Sequence, residues 1–591
     1  MHIPSLPTAD SQRMYARSFG GYDLREGGDS LTFTHTENMS SDSYPLACTR
    51  KPRGLINTQN YEIFNIISMD IIKNQGSGEI VKGALVADCR GMLRAFYEDN
   101  GTYSPHNLLI TSSFAEQEHK ILTPCGASLY IFPDGKKVNF ASSATTEALE
   151  CSQSLALGAS DGYFYEFKFT PCDIDGNPVS ENAMFTAIQR PYYSLSGSGK
   201  GEYKGLMSFN SVFSDGDCVR ISGLSLPDAN GSYFYIQKHD RVGRKLIVKG
   251  SFSLTQSSGT VYIARRIPKM DFVIAAKNRL WGCRYGYNTD GEPVNEIYAC
   301  AHGDAKNWYR FQGISSDSWA ASVGTPGAFT GAVCYNGFPV FFKEDCIIII
   351  FGDTPADFTL SETGARGVEA GCDKSIVSIN DTLYYKSYSG IVKYDGGLPK
   401  SVDAPLGGTR YKNAVGGGCG EKYYVSMEDQ KGKHHLFVYD TEKNIWHRED
   451  SLKAKAFCRC NSILYMLCDD SRIYSVDNTV SAYIPGASDE EVPFNWELVT
   501  KSFGYETAEH KYISAISLRG ESEENAVIEV FIQYDGSGVW HRISPRISRK
   551  DGTVNARIVP VRCDSFKIKL CGRGKFKLKT LETVTEKGDE L

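Results

Sequence analysis

Five stretches of this sequence carry residue types at spacings that could do chemistry. Cys458-x-Cys460, with Cys468 shortly after, has the thiolate spacing of half a zinc site. A structural zinc needs four ligands, and no fourth stands at finger spacing; alternation along a strand would instead put Cys458 and Cys460 on one face. SLSGSGKGEY hints at a phosphate-cradling loop, but Lys200 is followed by Gly201 rather than Ser or Thr. Ser194 also stands where such a loop has its first glycine, so the stretch reads as a hairpin tip. In DIDGNP, Asp173, Asp175 and Asn177 alternate as calcium ligands would. Gly176 comes too early for a calcium loop and the closing acid is missing; with the similar DGEPVNE at Asp290–Glu296, it reads as an Asp-Gly turn leading into a strand. YDGSGVWHR, Tyr534–Arg542, comes nearest to the Asp-box of sialidases but lacks the serine before Asp535. His434-His435 falls in a polar stretch read as a hairpin loop, and no Ser/His/Asp or Cys/His set has local support. The sequence therefore predicts no catalytic residue, no metal and no cofactor.

The totals narrow the classes further. In 591 residues, 64 Lys+Arg stand against 70 Asp+Glu, a net charge of −6, which argues against a grip on nucleic acid through general basic excess. The longest aliphatic run, Ile347–Ile350 with Phe351, is far short of the ~20 residues that span a bilayer and reads as a buried strand. MHIPSLPTADSQR has no apolar run of signal-peptide type, which leaves the retention-like GDEL at the other end without a route to matter. The 17 cysteines are odd in number and scattered, a pattern of reduced thiols in a protein made in cytosol.

The elements that would position any site are short strands. NAVGGGCGEKYYVSMEDQKGKHHLFVYDTEKNIWHRED holds a glycine cluster, two strands joined by a polar loop, and then Trp446. Similar units surround it: NDTLYYKSYSGIVKYDGG, NSILYMLCDDSRIYSVDN, NGFPVFFKEDCIIIIFGD and NRLWGCRYGYNTDGEPVNEIYACAHGD. Taking Leu280, Phe338, Leu383, Tyr423 and Leu464 as equivalent gives spacings of 58, 45, 40 and 41. A period near 40–45 with several strands per unit is the signature of propeller blades. Trp446 then fills the wedge between blades, its indole N–H reaching a backbone carbonyl. Gly416-Gly417-Gly418, Tyr439-Asp440 and Trp446 together resemble a kelch repeat.

Earlier units lie around Leu93 and Leu129, and the 151 residues from Leu129 to Leu280 exceed one blade. The surplus, rich in hairpin signals such as Asn230-Gly231, predicts an inserted β-barrel or sandwich. VIEVFIQYD, FKIKLCG and FKLKTLETV alternate apolar and polar residues, as half-buried strands of a sandwich do. The expected fold is all-β: a propeller of about six or seven blades, closed by strands from both chain ends, with an inserted small β-domain and a C-terminal sandwich. The expected segments are an extended arm at 1–56, first blades at 57–155, the insert at 156–268, remaining blades at 269–492 and the sandwich at 493–591.

TENMSSDSYPLACTRKPRG, Thr36–Gly54, is a polar arm carrying Asn38, Asp42, Tyr44-Pro45, Arg50 and Arg53. Together with the Asn278-Arg279-Leu280-Trp281 blade start and Gly303-Asp304 before Asn307-Trp308, it resembles the tail hub, nozzle or stabilisation proteins of short-tailed bacteriophages. That resemblance implies a structural virion protein: a ring of identical subunits, six by family likeness, below the portal or its adaptor. It implies partners in portal, adaptor and tail-fibre proteins, transient passage of DNA, assembly in the host cytoplasm and residence in the virion tail. Trp446, Trp281, Trp308, Arg50 and Arg53 become the structural or interaction residues, the arm reaching a neighbouring subunit. The competing expectation is a glycan-binding or glycan-cleaving propeller.

Overall fold

Two-residue turns of positive φ build the repeating unit. Lys277-Asn278 (φ 52 and 56), Asn336-Gly337 (49 and 79), Asn380-Asp381 (46 and 56) and Asn461-Ser462 (48 and 68) each join the first and second strands of a meander. Such turns twist with the strands they connect, and Asn or Gly tolerates the left-handed backbone they need. The computed structural model describes residues 11–25, 31–56, 62–72, 80–89, 92–99, 102–107, 120–139, 145–160, 163–179, 181–191, 205–206, 212–239, 245–476, 494–504, 510–522, 527–543 and 551–587. Apart from single 3-10 turns at Asp373–Ser375 and Ala404–Leu406, every regular element among them is a strand. The fold is an all-β propeller.

Among the described residues, six separate four-stranded sheets and a further four-stranded meander supply the blades. In chain order, blade 1 holds Asn65–Ile72 to Thr102–Asn107, blade 2 Ile121–Cys125 to Thr145–Ala148, blade 3 Phe272–Ala276 to Trp319–Ser322, and blade 4 Gly331–Tyr335 to Thr359–Gly364. Blade 5 runs from Val377–Ile379 to Lys400–Ser401, and blade 6 from Lys412–Cys419 to Ile445–Asp450. Blade 7 has Ala454–Cys460, Ile463–Cys468 and Ile473–Val476, with its outermost strand supplied from far upstream by Gly54–Leu55. The chain divides into two compact units, Met1–Lys73 with Ile80–Leu108 and Ala365–Leu591, and Asn74–Glu79 with Leu109–Gly364.

In the first unit, blades 6 and 7 share a core of Tyr424, Leu436, Val438, Leu464 and Met466, and blades 7 and 1 share Tyr465, Leu467, Ile66, Leu85 and Phe96. Blade 6 does not stop at its fourth strand. Phe19–Tyr22 pairs beside Trp446, Leu31–Glu37 lies next to Phe19–Tyr22, and Asn495–Thr500, Phe566–Arg573, Val527–Tyr534 and His541–Arg542 follow, making one ten-stranded sheet. A seven-stranded sheet centred on Lys511–Ser522 and Phe576–Lys587 contributes to the same core as the far half of that sheet. Their common core contains Phe19, Phe33 and Met39 beside Trp496, Ile513, Val530 and Leu578. The described residues 11–25 and 31–56, expected as part of an arm, thus contribute strands to the chain's own sheets, and they complete a sandwich with the described strands between 494 and 587.

The second unit holds blades 2–4 and the insert. Blades 2 and 3 share Tyr130, Phe132, Leu280 and Trp308, while blades 3 and 4 share Trp281, Ile297, Phe341 and Ile348. The insert begins in the strand Cys151–Ser160, five residues before the expected boundary, and ends in Gly259–Arg265. Its strands close on themselves: Tyr163–Cys172 pairs on one side with Asn182–Pro191 and on the other with Cys151–Ser160, which pairs with Gly259–Arg265. Phe167, Phe169, Val219, Phe234, Ile236 and Val261 fill the barrel.

The register corrects one equivalence. Leu280, Leu383, Tyr423 and Leu464 are each the second residue of their strand, but Phe338 is the first of Phe338–Lys343. Side chains alternate across a strand, so Pro339 is the matching position and Phe338 stays half-buried. A closed barrel with its own core should fold alone. Residues 151–265 expressed by themselves should melt in one cooperative transition; a gradual, non-cooperative melt would show that contacts with the blades hold the barrel up.

Candidate functional site

A buried polar cluster lies where the N-terminal strands meet the last strand of blade 6, Ile445–Asp450. That strand ends in consecutive acids, and a strand sends consecutive side chains to opposite faces. Arg53 nonetheless reaches both: one terminal nitrogen donates to Glu449 Oε2 at 2.5 Å and the other to Asp450 Oδ2 at 2.5 Å. Burial pushes the Asp450 carboxyl up, but the Arg53 charge prevails and holds it below its ordinary value. Arg50 donates through Nε to Asn38 Oδ1 at 2.7 Å and lies over the Phe494 ring at 4.6 Å. Asn38, in the left-handed region at φ 56, donates its backbone N–H to Glu449 O and its side-chain amide to Asn495 O, tying blade and sandwich to one residue. Arg50 and Arg53 are 4% and 2% exposed. The arm expected to carry them to a neighbour folds instead onto its own chain, because the paired carboxylates that receive Arg53 stand there.

Ser41 and Asp42 extend the joint. Ser41 Oγ donates to Asp440 Oδ2 at 2.6 Å, and Lys422 donates to Asp42 Oδ1 at 2.5 Å. Beneath them Trp446 is 0% exposed, its Nε1 donating to Val402 O at 2.8 Å in the segment that follows the outer strand of blade 5. Its ring lies 4.9 Å from Tyr439. His447, next in sequence, is 3% exposed, and neither of its ring nitrogens has a hydrogen-bond partner among the described residues. Burial first, and Lys422 second, pull this imidazole down to about 3. It is neutral at neutral pH.

His434 and His435, expected in a hairpin loop, open the strand His434–Asp440. The loop itself is shorter: Asp429 accepts the N–H groups of Lys431 and Lys433, with Gly432 at φ 80. His435 contacts Asp429 Oδ2 through Nε2 at 3.0 Å and accepts from Arg448 Nε through Nδ1 at 3.1 Å. The His435 bond, with those backbone donors, holds Asp429 at about 2. Arg448 faces Glu37 at 3.6 Å, and His35 and Lys569 each approach Glu497 at 3.9 Å. This row of alternating charge crosses the ten-stranded sheet. Each partly exposed pair contributes little stability, but together they favour one register.

The same turn chemistry answers the calcium reading. Asp173 Oδ1 accepts from the backbone of Asp175 and Asn177, as Asn288 Oδ1 does from Asp290 and Glu292. The carboxylate is committed to its own loop. Asp535 likewise holds the backbone N–H groups of Asp564 and Ser565. Cys458 and Cys460 pack into one core, and all 17 cysteines are unbridged. Lys200 and the GDEL tail lie outside the described residues.

In the second unit Trp281 and Trp308 are core tryptophans whose Nε1 atoms donate to Ala276 O at 3.1 Å and Ala305 O at 2.9 Å. Asn307 Oδ1 accepts from Cys218 N at 2.7 Å and its amide donates to Gly216 O, joining the barrel to blade 3. Tyr233 and Tyr309 stack across the same junction at 4.2 Å. Arg279 is buried and donates to the carbonyls of Cys300, Ser315 and Asp317. Sequence reasoning missed Trp496, stacked on Phe576 at 4.6 Å, and His447; nothing in their local sequence marks them.

No known protein family matches the sequence. No curated protein matches it either. Among solved structures, the chain is similar to PorZ, a surface component of the type-IX secretion system of Porphyromonas gingivalis, at 10% identity and a TM-score of 0.24, covering 88% of this chain and 82% of that one. It is also similar to the extracellular domain of a putative hybrid two-component system from B. thetaiotaomicron (10%, 0.26, 92% and 76%). A third likeness is to an exo-β-1,3-galactanase from Phanerochaete chrysosporium (9%, 0.22, 53% and 94%). At these TM-scores they carry no argument about activity or partners.

Two outcomes follow from the joint. Trp446→Ala should lower stability by ~3–5 kcal/mol, as truncation of a large buried aromatic does; a melting temperature equal to wild type would contradict the packing. For His447 the folded value lies below the unfolded one, so its contribution is fully present above pH ~6.5 and is lost as pH falls towards 3. Between pH 7 and 5 wild type should lose about 2 kcal/mol relative to His447→Phe. Parallel pH profiles for the two proteins would rule this out.

Proposed function

We propose that this chain is a structural protein of a bacteriophage tail, a nozzle or hub subunit below the portal or adaptor that forms part of the DNA conduit and catalyses nothing. One observation carries the reading: the residues that resemble phage tail proteins are the ones that join parts of the fold. Asn38 and Arg50 tie blade 6 to the sandwich. Arg279 pins the loop after blade 3's third strand, and Asn307 fastens the barrel. Joints of this kind suit a subunit whose parts must keep fixed positions in an assembly. Near-balanced charge suits a conduit, since a strongly basic lumen would retain DNA through counterion release. Identical subunits joined head to tail close into a ring when their rotation permits, and six copies is the number the resemblance implies.

Because the strands between Ser11 and Leu55 belong to the chain's own sheets, the test uses the full chain. Mass photometry with its adaptor partner should show a closed oligomer, and negative-stain images should show rings. A persistent monomer that releases sugar from a host glycan would replace this reading with a glycan-active propeller.

A further inference from the structure

We propose that Lys343 and Asn295 join in an intramolecular isopeptide bond, a covalent staple between neighbouring blades that the chain forms by itself. Lys343 ends Phe338–Lys343, the second strand of blade 4, and Asn295 lies in Pro293–Ala299, the third strand of blade 3. Lys343 is 3% exposed. Its Nζ donates to Asn295 Oδ1 at 2.8 Å, so with a C=O bond of ~1.23 Å the amide carbon stands no more than about 4 Å from the amine nitrogen. The Asn295 amide nitrogen donates to Val323 O at 2.8 Å and Thr325 O at 2.9 Å, and Thr325 O also accepts from Lys343 Nζ. One carbonyl thus holds amine and amide side by side. Thr325 is itself held in place: its backbone N–H donates to Glu362 Oε2 at 2.8 Å, and that of Gly324 to Oε1 at 2.7 Å.

The surroundings favour the reactive form of the amine. Lys386 and Lys422, also buried, each meet a carboxylate, Glu369 at 2.6 Å and Asp42 at 2.5 Å. Lys343 meets an amide instead, and no carboxylate lies in ion-pair reach of it among the described residues. The rings of Phe329 and Tyr285 lie 4.7 and 5.2 Å from its Nζ. A buried ammonium without a counter-ion is unfavourable. Burial holds this amine below its ordinary value, outweighing the more distant Glu362 charge, and so raises the share that is neutral. A neutral, desolvated lysine is a nucleophile, and a side-chain amide resists it only until the two are held together. The step balances without a co-reactant. Lys343 Nζ bonds to Asn295 Cγ, the Cγ–Nδ2 bond breaks, and the proton that Nζ loses departs on Nδ2 as ammonia. It happens once per chain and turns over no substrate.

Mass spectrometry of the full, folded chain tests this directly. The expected intact mass is that of the sequence less one ammonia, and a protease digest should yield a branched peptide that holds both Asn295 and Lys343. Lys343→Met and Asn295→Ala should each show the full mass of their own sequence and no branched peptide. A wild type at full sequence mass, with trypsin cutting after Lys343, would overturn the proposal. An ammonia loss that maps to any other residues would overturn it too. If neither variant folds, the wild-type digest decides by itself.

Discussion

The first unit depends on one guanidinium. Arg53 lies between two consecutive carboxylates at the end of blade 6, and immediately after it Gly54–Leu55 becomes the outer strand of blade 7. A buried ion pair is weak evidence for net stability, because desolvation offsets much of the attraction. Its value is positional. Removing one partner leaves a buried charge uncompensated, at a cost of about 3–5 kcal/mol, so a register that misplaces Arg53 by one residue is excluded. Since the side-chain period of a strand is two, that choice fixes which face Gly54–Leu55 and its neighbours present to blade 7.

From that anchor the rest of the joint follows in order. Asn38 receives Arg50 and reaches Asn495; Ser41 and Asp42 engage Asp440 and Lys422; Phe19–Tyr22 fits beside Trp446. Gly21 is required there. Its φ is 75, and a Cβ would fall 2.5 Å from the Trp446 carbonyl oxygen. The sheet thus passes from blade to sandwich without a linker, and blade 6 gains neighbours that an ordinary blade lacks. A propeller blade normally ends at its outer strand, where unpaired N–H and C=O groups invite other chains. Here the chain covers that edge with its own beginning.

Much of this was legible in the sequence, and the limits have physical causes. The turn after each blade's first strand announces itself because a two-residue turn of positive φ admits few residues, hence Asn336-Gly337, Asn380-Asp381 and Asn461-Ser462. Trp446 stood out because a large ring in a charged stretch needs a buried destination. The insert was visible as surplus length, but its first strand was not, since Cys151–Ser160 runs on from blade 2 with no break in composition. Phe338 misled because an apolar residue beside a turn looks like a core position when alternation is not counted. His435 was read as a loop residue because Lys431, Gly432 and Lys433 precede it; the turn closes on Asp429 two residues sooner than polarity suggests.

The N-terminal segment shows the deeper limit. Its polar residues suggest an arm reaching a neighbouring subunit, yet their partners stand hundreds of residues away in the same chain: Arg53 with Glu449, Ser41 with Asp440, Asn38 with Asn495. Composition reports how much polarity a segment carries and not whether the fold returns a partner to it. A buried polar group is tolerated only when hydrogen-bonded. An apparently solvated stretch with several arginines, an asparagine of positive φ and too little apolar content to fold alone is therefore also the profile of a strand that completes someone else's sheet. In this chain, that sheet is its own.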